Sequence, residues 1–269
     1  MSRISNCFER IKAANKKALV TYIVSGDPYP AATLDVMYEL VDKGVDIIEL
    51  GVPFSDPMAE GPVIQHAHER ALVHNVSLRD TLDIVKTFRI TNQETPIVLM
   101  GYANPVECFG YAAFADAAAE AGVDGLLTVD LPPEEVGDLK QELDRVGIDN
   151  IFLLAPTTKA ERGRAIANLA SGFLYYVSLK GVTGAGHLDV DSVKQKLEEF
   201  GIKDLPICVG FGIKDAATAK QIAQHADGVV VGSALVAKMG VDISASSKKI
   251  ASDLGVLIGE IRQALDELV

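Results

Sequence analysis

The chain has 269 residues, 48% of them hydrophobic, and a formal net charge of −12 at pH 7. This length is typical of one α/β barrel, and the hydrophobic content is sufficient for a large core. The acidic balance argues against a nucleic-acid-binding protein, because phosphate contacts need clustered lysine and arginine.

The sequence also argues against a membrane protein, a secreted protein and a metalloprotein. No apolar run approaches the length of a membrane span, and the first residues contain no apolar signal core. Cys7, Cys108 and Cys208 are too far apart for a metal site or a disulfide framework, and the histidines lack ligand spacing. We therefore expect no bound metal, no membrane partner and a reducing, cytoplasmic location.

The predicted elements alternate between strands and helices along the whole chain. An amphipathic helix at residues 5–14 precedes a first strand at Ala18–Val24. Further strand-like runs lie at residues 46–50, 96–102, 125–129, 150–154, 173–178, 206–210 and 228–232. Helical patterns lie at residues 31–43, 77–91, 108–121, 133–146, 159–170, 190–200, 215–225, 234–238 and 246–268.

Eight apolar, β-branched strands separated by helices predict a parallel sheet that is buried on both faces. We expect one α/β domain over residues 1–269, a (β/α)8 TIM barrel with an extra N-terminal helix. A doubly wound open sheet is the alternative. Short joints of similar sequence at residues 43–46, 121–125 and 225–228 favour the barrel, with functional loops at the opposite end.

Acidic residues cluster at and after the second predicted strand, in the stretch IIELGVPFSDPMAEGPVIQ. Glu49 ends an apolar run, and Asp56 and Glu60 follow in a loop rich in proline and glycine. Catalytic residues of barrel enzymes lie at the carboxyl ends of strands. Glu49 and the loop acids are therefore candidate catalytic groups, although a solvated acidic turn is the simpler alternative.

Glycine-rich turns follow the last three predicted strands, at residues 181–184, 210–212 and 232–233. The last turn opens a short helix at residues 234–238. Glycine allows the backbone to approach an anion, and a helix N-terminus favours negative charge. Because barrels bind phosphate after strands seven and eight, the position of these turns predicts a phosphate site. None of them has the spacing of a dinucleotide-binding fingerprint.

Four motifs together resemble the tryptophan synthase alpha subunit family. They are ELGVPFSDPMAEGP from Glu49, GVTG from Gly181, GFGI from Gly210 and GSA from Gly232. The first motif is long and specific, whereas the glycine turns alone also occur in other phosphate-binding barrels. The resemblance covers essentially the whole chain.

The resemblance implies retro-aldol cleavage of indole-3-glycerol phosphate to indole and glyceraldehyde 3-phosphate, without a metal or cofactor. Glu49 matches the family's general acid/base, whose pKa an apolar pocket would raise. The carboxylate that accepts the indole N–H is usually aspartate in the family, and this chain has Glu60 there. We expect Glu60 to keep that role with a small adjustment of the loop.

Further site residues follow from the resemblance. Thr183 and Gly184 match a loop that closes over substrate beside Asp56. The other expected substrate-binding residues are Tyr22, Ile64, Met100, Tyr102, Tyr175, Phe211, Gly212, Gly232 and Ser233.

The resemblance also implies a partner, a pyridoxal-phosphate beta subunit in an alpha2-beta2 heterotetramer. A free-standing lyase is one alternative, as is another phosphate-binding barrel such as indole-glycerol-phosphate synthase or phosphoribosylanthranilate isomerase. The synthase needs a catalytic lysine, and the first five predicted strands contain none. A non-catalytic barrel that binds phosphate and activates a partner is the third hypothesis.

Overall fold

Eight parallel strands form a closed barrel in sequence order, and the last strand pairs with the first. The computed structural model describes residues 2–178, 189–210 and 212–268. The strands are β1 (Ala18–Val24), β2 (Ile47–Gly51), β3 (Ile97–Gly101), β4 (Gly125–Thr128), β5 (Asp149–Leu154), β6 (Leu174–Val177), β7 (Ile207–Gly210) and β8 (Gly228–Val231). The predicted barrel is confirmed, and the open-sheet alternative is excluded.

Helices surround the barrel and cover its amino end. They are α1 (Arg3–Ala13), α2 (Pro30–Asp42), α3 (Pro62–Val73), α4 (Leu78–Arg89), α5 (Ala103–Phe109), α6 (Tyr111–Ala121), α7 (Gly137–Val146), α8 (Ala160–Leu169), α9 (Val190–Phe200), α10 (Ala216–Ala223), α11 (Ser233–Met239) and α12 (Ser247–Asp266). Within the described ranges, none of them has both the length and the hydropathy to cross a membrane.

Helices α3 and α5 are absent from the sequence prediction. Pro62 belongs to the stretch interpreted as a loop rich in proline and glycine, but it occupies the first turn of α3, directly after the N-cap Gly61. Proline is tolerated there because the first helical N–H groups have no intrahelical acceptor. Helix α3 thus begins two residues after Glu60 and carries Ile64.

Side chains of alternate strand residues form two separate hydrophobic clusters. In β1, Val20 and Tyr22 belong to the cluster inside the barrel, whereas Leu19 and Ile23 pack against the surrounding helices. This arrangement explains why the strands show no polar face in the sequence, since both sides are buried.

Helix α1 closes the amino end of the barrel. Its Ile4 and Phe8 are buried in the interior cluster, and the Phe8 ring lies 5.8 Å from that of Phe173. Arg3 pairs with Asp124 at 2.8 Å and ties the helix to the strand ends. The barrel interior is therefore closed at this end and can be approached from the carboxyl end.

Aspartates at three helix-to-strand joints explain the shared sequence form of those joints. Asp46, Asp124 and Asp227 each lie directly before a strand. Each accepts a hydrogen bond, at 2.8–2.9 Å, from a backbone N–H of the preceding strand. These bonds fix neighbouring strands at the amino end and leave the loops at the other end free to vary.

Candidate active site

A cavity opens at the carboxyl end of the barrel. Eight residues expected at the site line it: Tyr22, Glu60, Ile64, Met100, Tyr175, Gly212, Gly232 and Ser233. Ile213 and Val230 also line it and were not predicted. Thr183, Gly184 and Phe211 lie outside the described residues.

Glu49 lies in the middle of β2, next to Tyr22 of β1 and Val98 of β3 in the strand register. Its side chain is completely buried, and neither carboxyl oxygen has a hydrogen-bond partner among the described residues. Burial raises the pKa of Glu49 to about 8, with a smaller contribution from the negative charge of Glu60. The carboxyl group is therefore mostly protonated at neutral pH.

Glu60 lies on the cavity wall at the end of the loop that connects β2 to α3. Its side chain is 7% exposed, although Ala59 before it is exposed. Burial raises the pKa of Glu60 to about 7. Because its charge acts on Glu49, the two carboxyl groups are near neighbours that do not readily ionise together.

Two tyrosines, Tyr22 of β1 and Tyr175 of β6, lie close enough to the carboxyl groups to be affected by their charge. The pKa of Tyr175 lies well above its usual range because of burial and then of the charges of Glu49 and Glu60, and the same three causes act on Tyr22. Both phenols therefore stay neutral. Gly51 and Gly210 make room for them, since a methyl group on either glycine would overlap the phenol of Tyr22 or Tyr175, respectively.

Tyr102 does not line the cavity. Its phenol oxygen accepts a hydrogen bond from the Ala59 N–H at 3.0 Å, and its ring stacks on Phe54 with centroids 4.8 Å apart. Both contacts are with the loop that carries Glu60. Tyr102 therefore supports the loop that carries Glu60.

Three residues that line the cavity, Gly212, Gly232 and Ser233, follow the last two strands. Gly212 has a φ of 82°, which glycine adopts without strain. Gly232 is the N-cap of α11, and Ser233 is its first residue. The N–H groups of a first helical turn have no intrahelical acceptor, so they can bind an anion in the cavity.

Comparison with known proteins identifies the family. The family model described as tryptophan synthase alpha chain matches residues 8–266. The chain belongs to the tryptophan synthase alpha chain family. It is thereby identified with a family of enzymes of tryptophan biosynthesis.

Individual members of this family match along their whole length. A relative from Thioalkalivibrio sulfidiphilus is 57% identical over 269 residues, covering 99% of this chain and all of the relative. One from Methylococcus capsulatus is 54% identical, with 99% and 100% covered. Both are named tryptophan synthase alpha chain.

Solved structures of the family show the same fold. The crystal structure of tryptophan synthase subunit alpha from Legionella pneumophila has a TM-score of 0.90 at 45% identity and covers 99% of each chain. A chain of Mycobacterium tuberculosis tryptophan synthase in its aminoacrylate-bound form has a TM-score of 0.86 at 36% identity, with 98% of this chain and 100% of that chain covered.

The two cavity-lining residues that were not predicted, Ile213 and Val230, were missed for different reasons. Ile213 belongs to the GFGI motif, so its position beside the glycines was available as a signal. Val230 lies in the uniformly apolar strand β8, where no alternation distinguishes an inward from an outward side chain.

Proposed function

We propose that the protein cleaves indole-3-glycerol phosphate to indole and glyceraldehyde 3-phosphate, a carbon–carbon lyase reaction of the retro-aldol type. The observation that carries this proposal is a pair of buried carboxyl groups, Glu60 on the wall of a cavity and Glu49 beside Tyr22, which lines the same cavity. Burying two carboxyl groups in an apolar interior is costly. Proton transfer at this site would explain why two carboxyl groups are kept in such surroundings.

Glu49 is the general acid and then the general base. Because burial keeps its proton near neutral pH, it can donate that proton to carbon 3 of the indole ring. The resulting carboxylate then takes the proton of the glycerol hydroxyl as the carbon–carbon bond breaks. One proton is given and one is recovered, so Glu49 returns to its starting state.

Glu60 accepts a hydrogen bond from the indole N–H and stabilises the positive charge that develops on the protonated ring. Burial raises the pKa of both carboxyl groups, and the charge of Glu60 raises the pKa of Glu49 further, so Glu49 keeps its proton while Glu60 is ionised. This difference supports separate roles, with Glu49 as the acid and Glu60 as the anion. The longer side chain of glutamate replaces the family's usual aspartate.

The substrate phosphate binds to backbone N–H groups at Gly212, Gly232 and Ser233, and the indole packs among Tyr22, Ile64, Met100 and Tyr175. These residues line one cavity, which supports simultaneous contact with both ends of the substrate. Thr183, Gly184 and Phe211 remain predicted contacts on the basis of the resemblance.

The protein functions with a beta subunit, a pyridoxal-phosphate enzyme that joins indole to serine, in a cytoplasmic alpha2-beta2 tetramer. The family name and the full-length similarity support the partner. Residues 1–269 act as a single domain and need no cofactor of their own.

An indole-release assay on indole-3-glycerol phosphate, with and without a beta subunit, tests the proposal. We expect cleavage that the beta subunit increases, and a loss of most turnover in Glu49→Gln and in Glu60→Gln. The matched control is Glu69→Gln, an exposed carboxylate on α3 with 71% of its side chain accessible. Absence of cleavage under both conditions would refute the lyase function, and cleavage without enhancement would indicate a free-standing lyase.

A further inference from the structure

His68 is a buried imidazole outside the catalytic set. It lies on α3, one helical turn after Ile64, and its residue exposure is 2%. Its Nδ1 accepts a hydrogen bond from the backbone N–H of Phe54 at 3.1 Å. A ring nitrogen that accepts from an amide carries no proton, so the neutral ring has its proton on Nε2.

The hydrogen bond from Phe54 holds the beginning of the loop that ends at Glu60. The Tyr102 phenol holds the end of the same loop through the Ala59 N–H. Two backbone hydrogen bonds lie within the same loop. The Met58 N–H donates to the Asp56 carbonyl oxygen at 2.7 Å, and the Glu60 N–H donates to the Pro57 carbonyl oxygen at 3.0 Å.

The middle of this loop is exposed, but Glu60 near its end is not. Ser55, Asp56, Met58 and Ala59 are exposed, whereas Glu60 is buried in the cavity wall. Along the exposed part of the loop few buried apolar contacts fix its course, so side-chain hydrogen bonds set the position of the Glu60 backbone: those to His68 and Tyr102, and one from the Gln65 amide to the Glu60 carbonyl at 2.9 Å.

An apolar side chain would fill the place of His68 at lower cost. The Nε2 atom is buried and has no hydrogen-bond partner among the described residues. Leaving a polar group in that state is unfavourable. Burial also lowers the pKa of His68 to about 4, which keeps Nδ1 available as an acceptor over the neutral range. The bond to Phe54 explains a histidine at this position, because an apolar side chain could not accept it.

We propose that His68 is a positioning residue that sets the place of Glu60 by accepting the Phe54 N–H and so fixing the start of the loop. The inference rests on the proposed function, in which Glu60 binds the indole N–H. Helix α3 then contributes to catalysis indirectly, because its His68 holds the loop that carries Glu60.

Steady-state cleavage by two variants of similar size tests the inference. His68→Asn keeps an acceptor oxygen near the place of Nδ1, and His68→Leu keeps the bulk without the acceptor. We expect His68→Leu to lower kcat by about tenfold or more, because small misplacements of a catalytic group are costly. We expect KM to change less than kcat, and His68→Asn to recover most of the loss. His66→Leu, an exposed neighbour on the same helix, is the matched control.

A double-mutant comparison separates positioning from general destabilisation. If His68 acts through Glu60, His68→Leu will cause little further loss of kcat in a Glu60→Gln background. Equal losses in both backgrounds, or a full loss in His68→Asn, would overturn the inference and leave the proposed function intact. Normal turnover of Glu60→Gln alone would instead remove Glu60 from the mechanism, and the inference with it.

Nitrogen-15 NMR of the unmodified protein tests the same geometry without a variant. We expect an unprotonated Nδ1 and a protonated Nε2 on His68 at neutral pH. A proton on Nδ1 would contradict the hydrogen bond from Phe54, and with it the inference.

Discussion

Replacing Glu49 with glutamine should stabilise the protein while it abolishes cleavage. Burial raises the pKa of this carboxyl from its ordinary value of 4.5 to about 8. At about 1.4 kcal/mol for each tenfold change in proton affinity, the folded state loses up to about 5 kcal/mol when Glu49 must ionise. Glutamine has nearly the same shape and never ionises.

The sign of the pH dependence follows from where the proton is held. Between pH 4.5 and about 8 the folded protein keeps the Glu49 proton, whereas the unfolded chain has lost it. The free energy of unfolding of the unmodified protein therefore falls as the pH rises through this window. The glutamine variant lacks that contribution, so its advantage should grow with pH and become constant above about 8.

Urea denaturation of both proteins at pH 5, 7 and 9 measures this difference. The advantage of Glu49→Gln should increase by up to about 4 kcal/mol between pH 5 and pH 9. The exposed variant Glu69→Gln should show no such trend. A difference between Glu49→Gln and the unmodified protein that is the same at all three pH values would mean that Glu49 does not retain its proton, and would refute the acid role assigned to it.

Three further substitutions have expected outcomes that the structure supports. Asp27→Ala leaves Arg70 without the buried carboxylate it contacts at 2.6 and 3.0 Å, and should lower the free energy of unfolding by about 3–5 kcal/mol in urea; an unchanged denaturation midpoint would contradict this. Gly210→Ala places a methyl group against the Tyr175 phenol, so we expect a loss of about 1–3 kcal/mol in stability and a higher KM for cleavage. An unaltered KM would show that Tyr175 is not held by this contact. Ser77→Ala removes the capping box of α4 and should cost about 1 kcal/mol in thermal denaturation without changing turnover, which a reduced kcat would disprove.

The barrel could be predicted from the sequence because its strands are buried on both faces and its joints repeat. Short apolar runs separated by helical patterns leave few other arrangements. The aspartates of the joints, such as Asp46 and Asp124, were visible as a repeated form, although the strand N–H groups that they accept from were not. Helix α3 was missed because a proline that breaks a helix interior also begins helices well.

The candidate site was predictable only in part. Glu49 and Glu60 stood out as acids at the end of a buried strand and in the loop after it, and their specific roles came from the resemblance. The contacts of Tyr102 with Ala59 and of His68 with Phe54 join residues that lie 43 and 14 positions apart. No local pattern predicts such contacts, and a search of the histidines for metal spacing does not detect a ring that accepts from a backbone amide.

Helix α1 gives the barrel a sealed floor. Because Ile4 and Phe8 occupy the amino end of the interior, the described part of the chain leaves no second exit along the barrel axis for a molecule that enters from the carboxyl end. Both fragments of a cleaved substrate must then leave by the opening through which it came. A partner chain seated over that opening would therefore lie in the path of both fragments.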